Sequence, residues 1–239
     1  ALLNVNINDI QATRFNAYRV GFQYDNPERT WGFGANYRSQ VKFIAQGDIS
    51  GTSEVGAGAP TAFTSGGKAD LENMFPQQLA AGGYFKVTPM LRISPEYSYT
   101  NYSENKALGV RGSFGVSGLG TRQLSDIPQN WKNQHIGRLG FEYGGANAMP
   151  VRFGYAYTSQ VTPSDRARST FASPGAGHAI AAGTGIMLGA NIDLDIAGEY
   201  SWAKGKGLNN ASATAPEVSS EQEFKSRAYA AHLSAKYKF

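Results

Sequence analysis

The sequence predicts an all-β chain, an antiparallel transmembrane β-barrel with about nine strands. Three observations predict it. Apolar and polar residues alternate with period two along most of the chain, most cleanly at its end. There Tyr229, Ala231, Leu233, Ala235, Tyr237 and Phe239 share one face, and Ala230, His232, Ser234, Lys236 and Lys238 the other. Tight turns and long connections alternate strictly, an asymmetry that suits short periplasmic turns and long outer loops. The polar faces carry charges of both signs. A wet lumen tolerates these, whereas each Arg or Lys facing lipid at mid-membrane would cost about 2–4 kcal/mol.

The first segment, Phe15 to Tyr24, sets Tyr18, Val20, Phe22 and Tyr24 against Ala17, Arg19, Gly21 and Gln23. Asp25-Asn26-Pro27-Glu28 is a helix-averse turn. The second segment, Trp31 to about Ala45, continues as the return strand of a hairpin and carries Arg38 and Lys42 on its polar side. A Gly/Ser/Thr-rich stretch, 47–76, is expected to be a long outer loop. Gln78 to Val87 and Leu91 to Tyr102 form the next hairpin across Thr88-Pro89. Pro95 lies inside its second strand and predicts a kink, bulge or local break, because proline cannot donate to a ladder.

A second long loop is expected at 104–130. His135 to Tyr143 and Val151 to Thr158 are strands joined by the turn Gly144 to Pro150. A third loop is expected at 159–177. His178 to Leu188 is an Ala- and Gly-rich strand that turns at Gly189-Ala190-Asn191 into Ile192 to Trp202. The fourth loop, 204–221, leads to the final strand. The whole chain, 1–239, thus reads as one transmembrane domain. Aromatics near segment ends, such as Tyr24, Trp31, Tyr99, Tyr143, Tyr157 and Trp202, suggest interfacial girdles.

Composition bounds the function. Hydrophobic residues make up 41 % of the 239 and mean hydropathy is -0.37, ordinary values for strands that give lipid only half their side chains. No apolar run reaches the roughly 18 residues of a spanning helix. Net charge is +4, and the basic residues are dispersed, so no nucleic-acid footprint is expected. There is no cysteine. The opening Ala1-Leu2-Leu3-Asn4 has no Met and no basic leader, which suggests a processed chain or a fragment. An odd strand count leaves an open edge, and backbone groups unpaired in lipid cost several kcal/mol each. Strands from elsewhere, on a second chain or in a missing part, are therefore expected.

Several stretches carry a resemblance. They are Tyr37-Arg38-Ser39-Gln40-Val41-Lys42-Phe43 with Gly47-Asp48, Leu71-Glu72-Asn73-Met74-Phe75-Pro76, Val87-Thr88-Pro89, and Tyr97-Ser98-Tyr99-Thr100-Asn101-Tyr102-Ser103. Arg152-Phe153-Gly154-Tyr155-Ala156-Tyr157 with Pro163, and Gly198-Glu199-Tyr200-Ser201, complete the set. In order and spacing the chain resembles the bacterial FadL-type outer-membrane proteins, transporters of long-chain fatty acids and aromatic hydrocarbons. The resemblance implies a fourteen-stranded barrel plugged by an amino-terminal hatch, of which this chain matches the C-terminal part and lacks the hatch. Five strands and a plug at ordinary lengths would add about 170–200 residues before Ala1.

The function expected is passive transport of hydrophobic small molecules across a Gram-negative outer membrane, with a hydrophobic ligand and the lipid bilayer as partners. The alternative is a structural or adhesive barrel whose loops bind partners. Phe63, Leu71, Met74 and Phe75 in the 47–76 stretch are candidates for a greasy capture site. Arg38, Lys68 and Arg92 are candidates for holding a ligand carboxylate. Arg19, Lys42, Glu96, Arg138, Glu142, Arg152, Asp193, Asp195 and Glu199 are the expected lumen-lining charges. No enzyme, cofactor or metal is expected. His232 and Ser234 have no evident orienting partner, and His135, His178 and His232 lack ligand spacing. Gly115 to Gly120 has no strand-to-helix context for a phosphate loop.

Overall fold

The computed structural model describes residues 2–12, 16–54, 61–63, 66–144, 149–166, 175–188, 191–210 and 219–237. The strands in chain order begin with β1 (Leu2–Gln11), β2 (Arg19–Asp25), β3 (Trp31–Arg38), β4 (Val41–Glu54), β5 (Thr61–Ala62) and β6 (Lys68–Phe75). They continue with β7 (Gln78–Thr88), β8 (Leu91–Thr100), β9 (Ala107–Arg111), β10 (Ser113–Val116), β11 (Gly120–Gln123) and β12 (Ile127–Pro128). The last are β13 (Gln134–Tyr143), β14 (Val151–Thr158), β15 (Ala176–Leu188), β16 (Ile192–Asn210) and β17 (Ser219–Tyr237). No helix is long and apolar enough to cross a membrane, which says nothing about crossing by strands.

The chain packs as two compact units. The larger comprises residues 19–38, 77–102 and 131–239. It holds a nine-stranded antiparallel sheet in the order β17-β16-β15-β14-β13-β8-β7-β3-β2. Each short turn joins neighbours in this sheet, so sequence order nearly equals spatial order. At the first turn the Asn26 side-chain oxygen accepts hydrogen bonds from the amides of Thr30 (2.7 Å) and Trp31 (2.9 Å), holding the reversal.

Pro95 acts as the sequence predicts. The ladder from β7 to β8 skips the two rungs at Pro95 and Ser94 and resumes in the same register at Phe85–Ile93, while pairing with β13 runs on unbroken. The only register shift between β7 and β8 lies at Lys86/Thr88.

The smaller unit comprises residues 1–18, 39–76 and 103–130. Its sheet runs β1-β4-β6-β9-β12, with β5 beside β4, and β10 and β11 form a separate hairpin. One sheet face carries Val5, Ile7, Ile49, Ala69, Leu71 and Val110, in register across the strands. Phe114 and Val116 of the hairpin, with Leu119, Leu124 and Phe63, pack on the Ile49–Ala69 end of that face. This is a conventional core made from stretches that look like loops.

Several expected boundaries are therefore corrected. The second segment ends at Arg38, not Ala45. Ser39 breaks the strand by clamping Tyr18, accepting from the Tyr18 amide at its hydroxyl and donating its own amide to the Tyr18 carbonyl, both at 2.9 Å. Lys42 consequently belongs to β4 in the smaller unit, not to the nine-stranded sheet. The stretches 47–76 and 104–130 are largely strands, because alternating small and apolar residues there find a partner layer. The expected loop 204–221 is mostly an extended hairpin: β16 runs to Asn210 and β17 starts at Ser219. Among the described residues of 159–177 a 3-10 turn, Ser164–Arg166, precedes β15. Strand β1 is an addition to the sequence reading, with Leu3, Val5 and Ile7 alternating against Asn4, Asn6 and Asn8. Phe15, Gly189 and Phe239, assigned from the sequence, lie outside the described residues.

Candidate ligand-binding surfaces

In the nine-stranded sheet, pairing register assigns every side chain to one of two faces. Val20, Phe22, Phe33, Leu139, Phe141, Phe153, Tyr155, Ile180, Ile196, Tyr229 and Leu233 lie on one. They are exposed in large part, up to 79 % at Tyr229 and 74 % at Leu233, with no second layer covering them among the described residues. A water-soluble sheet could not leave so continuous an apolar face bare; hydrocarbon can. Aromatic rings border this face at both ends. At the short-turn end Tyr24, Trp31 and Phe33 cluster, with centroids 5.5–6.1 Å apart. At the long-connection end lie Tyr97, Tyr99, His135, Tyr155, Tyr157, His178, Tyr200 and Trp202.

The opposite face carries Arg19, Arg38, Arg92, Glu96, Arg138, Glu142, Arg152, Asp193, Asp195 and Glu199, as the alternation predicts. Arg138 pairs with Glu96 directly across from it. Arg152 reaches two acids, Glu142 at 2.6 Å on the neighbouring strand and Asp195 at 2.5 Å two strands away. The second reach passes over β15 where that strand has Gly183 and Gly185. A Cβ at Gly185 would come 2.7 Å from the Asp195 carboxylate and 3.6 Å from the Arg152 guanidinium. Glycine here is what allows a side chain to bridge across an intervening strand.

The bridge is partly solvated, with 43 % of the Arg152 side chain exposed, so screening keeps its worth small. Replacing Arg152 with Met, which keeps bulk and removes charge, should lower stability by about 1 kcal/mol. Urea titration in vesicles measures this, and a loss of several kcal/mol would show that these charges are far drier than their exposure indicates. Glu199 has no ion-pair partner among the described residues.

Around Gly21, Gly32, Gly34, Ala80 and Gly82 the charged face forms a depression of about 630 Å³. Tyr84 lies over Gly32, where a Cβ would stand 2.6 Å from its ring, and the Arg92 guanidinium sits 4.1 Å above the Tyr84 centroid. The Arg92 Nε is buried without a hydrogen-bond partner among the described residues.

His232 and Ser234 share this face, with Ser234 directly opposite Asp195. No hydrogen bond links the three among the described residues, and Asp195 is engaged by Arg152. The same residues hold no group of three or more potential metal ligands.

In the smaller unit, Phe63, Leu71 and Phe75 gather on the apolar side, where Phe63 stacks on Phe114 at 4.5 Å. Register places Met74 and Lys68 on the other face of the sheet, because they fall one residue out of phase with Leu71 and Phe75. Lys68 is paired there with Asp48 at 2.6 Å. Of the expected carboxylate-holding residues, Arg38 and Arg92 belong to the larger unit. The sequence reading missed Phe43, whose ring lies 5.1 Å from that of Phe75. Its alternation with Val41 and Ala45 was the available signal. The hairpin packs on the Ile49–Ala69 end of the apolar face; at the other end Val41 and Ala45 are buried while Phe75 is 55 % exposed.

Comparison with known proteins agrees with this architecture. The profile of the outer membrane protein transport proteins (OMPP1/FadL/TodX) matches residues 4–239. A Neisseria meningitidis serogroup B protein whose name places it in the outer membrane, NMB0088, is 23 % identical over 235 residues, covering 93 % of this chain and 50 % of that one. A Pseudomonas aeruginosa FadL homologue has a TM-score of 0.62 at 14 % identity, covering 92 % of this chain and 52 % of that one. The Pseudomonas putida toluene transporter TodX has a TM-score of 0.59 at 16 % identity, covering 92 % and 48 %. The CymD monoaromatic hydrocarbon channel has a TM-score of 0.54 at 17 % identity, covering 92 % and 50 %. This chain thus spans about half the length of the relatives it matches. With apolar side chains turned to lipid, charges on the reverse face, and a profile match over nearly its whole length, the chain belongs to the FadL/TodX family of outer-membrane β-barrel proteins.

Proposed function

We propose that this chain is part of a passive outer-membrane route for hydrophobic small molecules, long-chain fatty acids or aromatic hydrocarbons, with no covalent chemistry. One observation carries the reading: the half-covered apolar face of the smaller unit. Two of the three stretches that build this unit, 39–76 and 103–130, are long connections between strands of the nine-stranded sheet, and in barrels of this class long connections are outer loops. A fully capped face would be a folding core and nothing more. Here the hairpin caps one end, while the Phe43–Phe75 pair is left partly open to solvent. An apolar surface with few polar anchors suits a ligand whose binding comes from area removed from water. The names of the toluene transporter and the monoaromatic hydrocarbon channel support that ligand class.

The charge-bearing face of the nine-stranded sheet lines the wet interior in this reading. Arg19, Arg38, Glu96, Arg138, Glu142, Arg152, Asp193, Asp195 and Glu199 face one another there, and some of them pair. A ligand carboxylate would find Arg92, whose Nε has no hydrogen-bond partner among the described residues. Phe63 contributes by packing the unit, and Leu71 and Phe75 by contact.

Replacing Phe75 with Gln should slow uptake of a radiolabelled hydrophobic ligand roughly tenfold, the effect of losing one aromatic contact. Stability should change little, because the ring is exposed. Unchanged uptake would remove this surface from the route. The paired charges favour a second reading, a barrel filled by ion pairs whose outer unit binds partners. Under that reading no hydrophobic ligand would be taken up at all.

A further inference from the structure

We propose that the upper part of the β16–β17 hairpin binds the phosphate-bearing headgroup of an outer-leaflet lipid. The register carries the argument. Trp202 pairs with Arg227, Lys204 with Lys225 and Lys206 with Glu223, all on the face that lower down presents Tyr200, Tyr229, Ile196 and Leu233. That lower part is the lipid-facing wall, and the cations continue it without a change of side. Ten residues separate Ile192, at the short-turn end, from Trp202. At about 3.3 Å per residue and a tilt near 40°, they climb roughly 25 Å, the height of the apolar band. Arg227 therefore stands where hydrocarbon ends and headgroups begin, with Lys204, Lys225 and Lys206 just above.

Three further observations fit. Arg227 and Lys204 have no ion-pair partner among the described residues. Glu223, bound to Lys225 at 2.8 Å, is the one acid among the paired positions just named, which leaves the patch cationic. The hydrogen bond from Lys225, together with the charges of Lys225, Lys204 and Lys206, lowers the Glu223 pKa. Beside the cations is an aromatic row. Tyr157, His178, Trp202 and Arg227 are in register across four strands, and the His178 ring stacks on Trp202 at 5.2 Å and 14°.

His178 adds a ring nitrogen to this row. Its Nδ1 lies 2.9 Å from the Tyr155 hydroxyl, and His135 meets Tyr97 in the same way at 2.6 Å. When the phenol donates to Nδ1, Nε2 carries the proton, and neither Nε2 has a protein partner among the described residues. Phosphate oxygens accept from guanidinium, ammonium and imidazole alike. A zwitterionic headgroup would bring a cation of its own against Arg227 and Lys204. The proposal rests on the direction of the outer wall and is independent of the transport reading.

The test uses protein extracted from outer membranes in detergent and native mass spectrometry. The probes are an acylated glucosamine disaccharide bearing two phosphates and the same lipid with both phosphates removed. The phosphorylated lipid should be retained far more strongly. The triple variant Lys204→Gln, Lys225→Gln, Arg227→Gln should lose that preference roughly 100-fold. Lys236→Gln, a charge removed on the other face near the short-turn end, should leave it intact. A heat-shifted gel band establishes that each variant is folded. Equal retention of the two lipids, an unaffected triple variant, or an equal loss with Lys236→Gln would overturn the proposal. So would full displacement by inorganic phosphate at matched ionic strength, which would identify a free-anion site. Should the triple variant not fold, the comparison of the two lipids on the unaltered protein decides alone.

Discussion

Replacing Leu233 with Arg should destabilise the membrane-embedded protein by about 2–4 kcal/mol. Leu233 lies four residues from the short-turn end of β17, opposite Ile196, and six residues below Arg227. It is 74 % exposed on the apolar face, so a guanidinium there would sit in hydrocarbon with no acid beside it. Three residues away, Ala230 lies on the opposite face, directly across from Glu199. Ala230→Arg should cost almost nothing, because water and an unpaired carboxylate receive the charge. Urea unfolding in phospholipid vesicles measures both. Similar costs for the two variants would sink the assignment of faces on which the barrel reading stands, since nothing but direction distinguishes them.

Replacing Phe114 with Ala should cost the smaller unit about 3–5 kcal/mol, the range for emptying a buried aromatic site. Phe114 is 3 % exposed, stacks on Phe63 and packs with Ile49, Ala69 and Val116. The hairpin that carries it packs on the Ile49–Ala69 end of the apolar face, so the cavity would open inside that contact. The loss should appear as proteolysis within residues 39–76 and 103–130, while the heat-shifted mobility of the barrel persists. Phe75→Gln, on the same sheet face but exposed, should show the reverse: intact protease resistance and slower uptake. If both variants weaken protease resistance equally, the Phe75 surface is core and not a capture site.

The nine strands of the barrel wall were legible because lipid on one side and water on the other impose a strict two-residue period. Phe153 and Arg152 declare their faces by parity alone, and the short turns fix which strands are neighbours. Stretches 47–76 and 104–130 were not legible in the same way. Their apolar residues are sparse, and glycine, serine and threonine between them look like loop. Only when Ile49 meets Ala69 and Phe114 does their alternation become a sheet. Lys42 illustrates the cost. It keeps phase with Arg38 across Ser39-Gln40, yet the clamp of Ser39 on Tyr18 ends one strand and starts another. The pairing of Lys42 with Met74 could not be seen either, since it lies in a sheet the sequence reading did not contain.

The sequence by itself determined which side of each wall strand meets lipid, which strands pair across the short turns, and where charge is concentrated, because these follow from local periodicity and turn length. Only the tertiary structure decided which distant segments pair. That set the Arg152 bridge over Gly185, the partly covered Phe43–Phe75 face, and the alignment of Lys204, Lys225 and Arg227 on one side of a hairpin. The physical reason is that register between strands depends on long-range contacts, and a slip of one residue would send every such side chain to the opposite face.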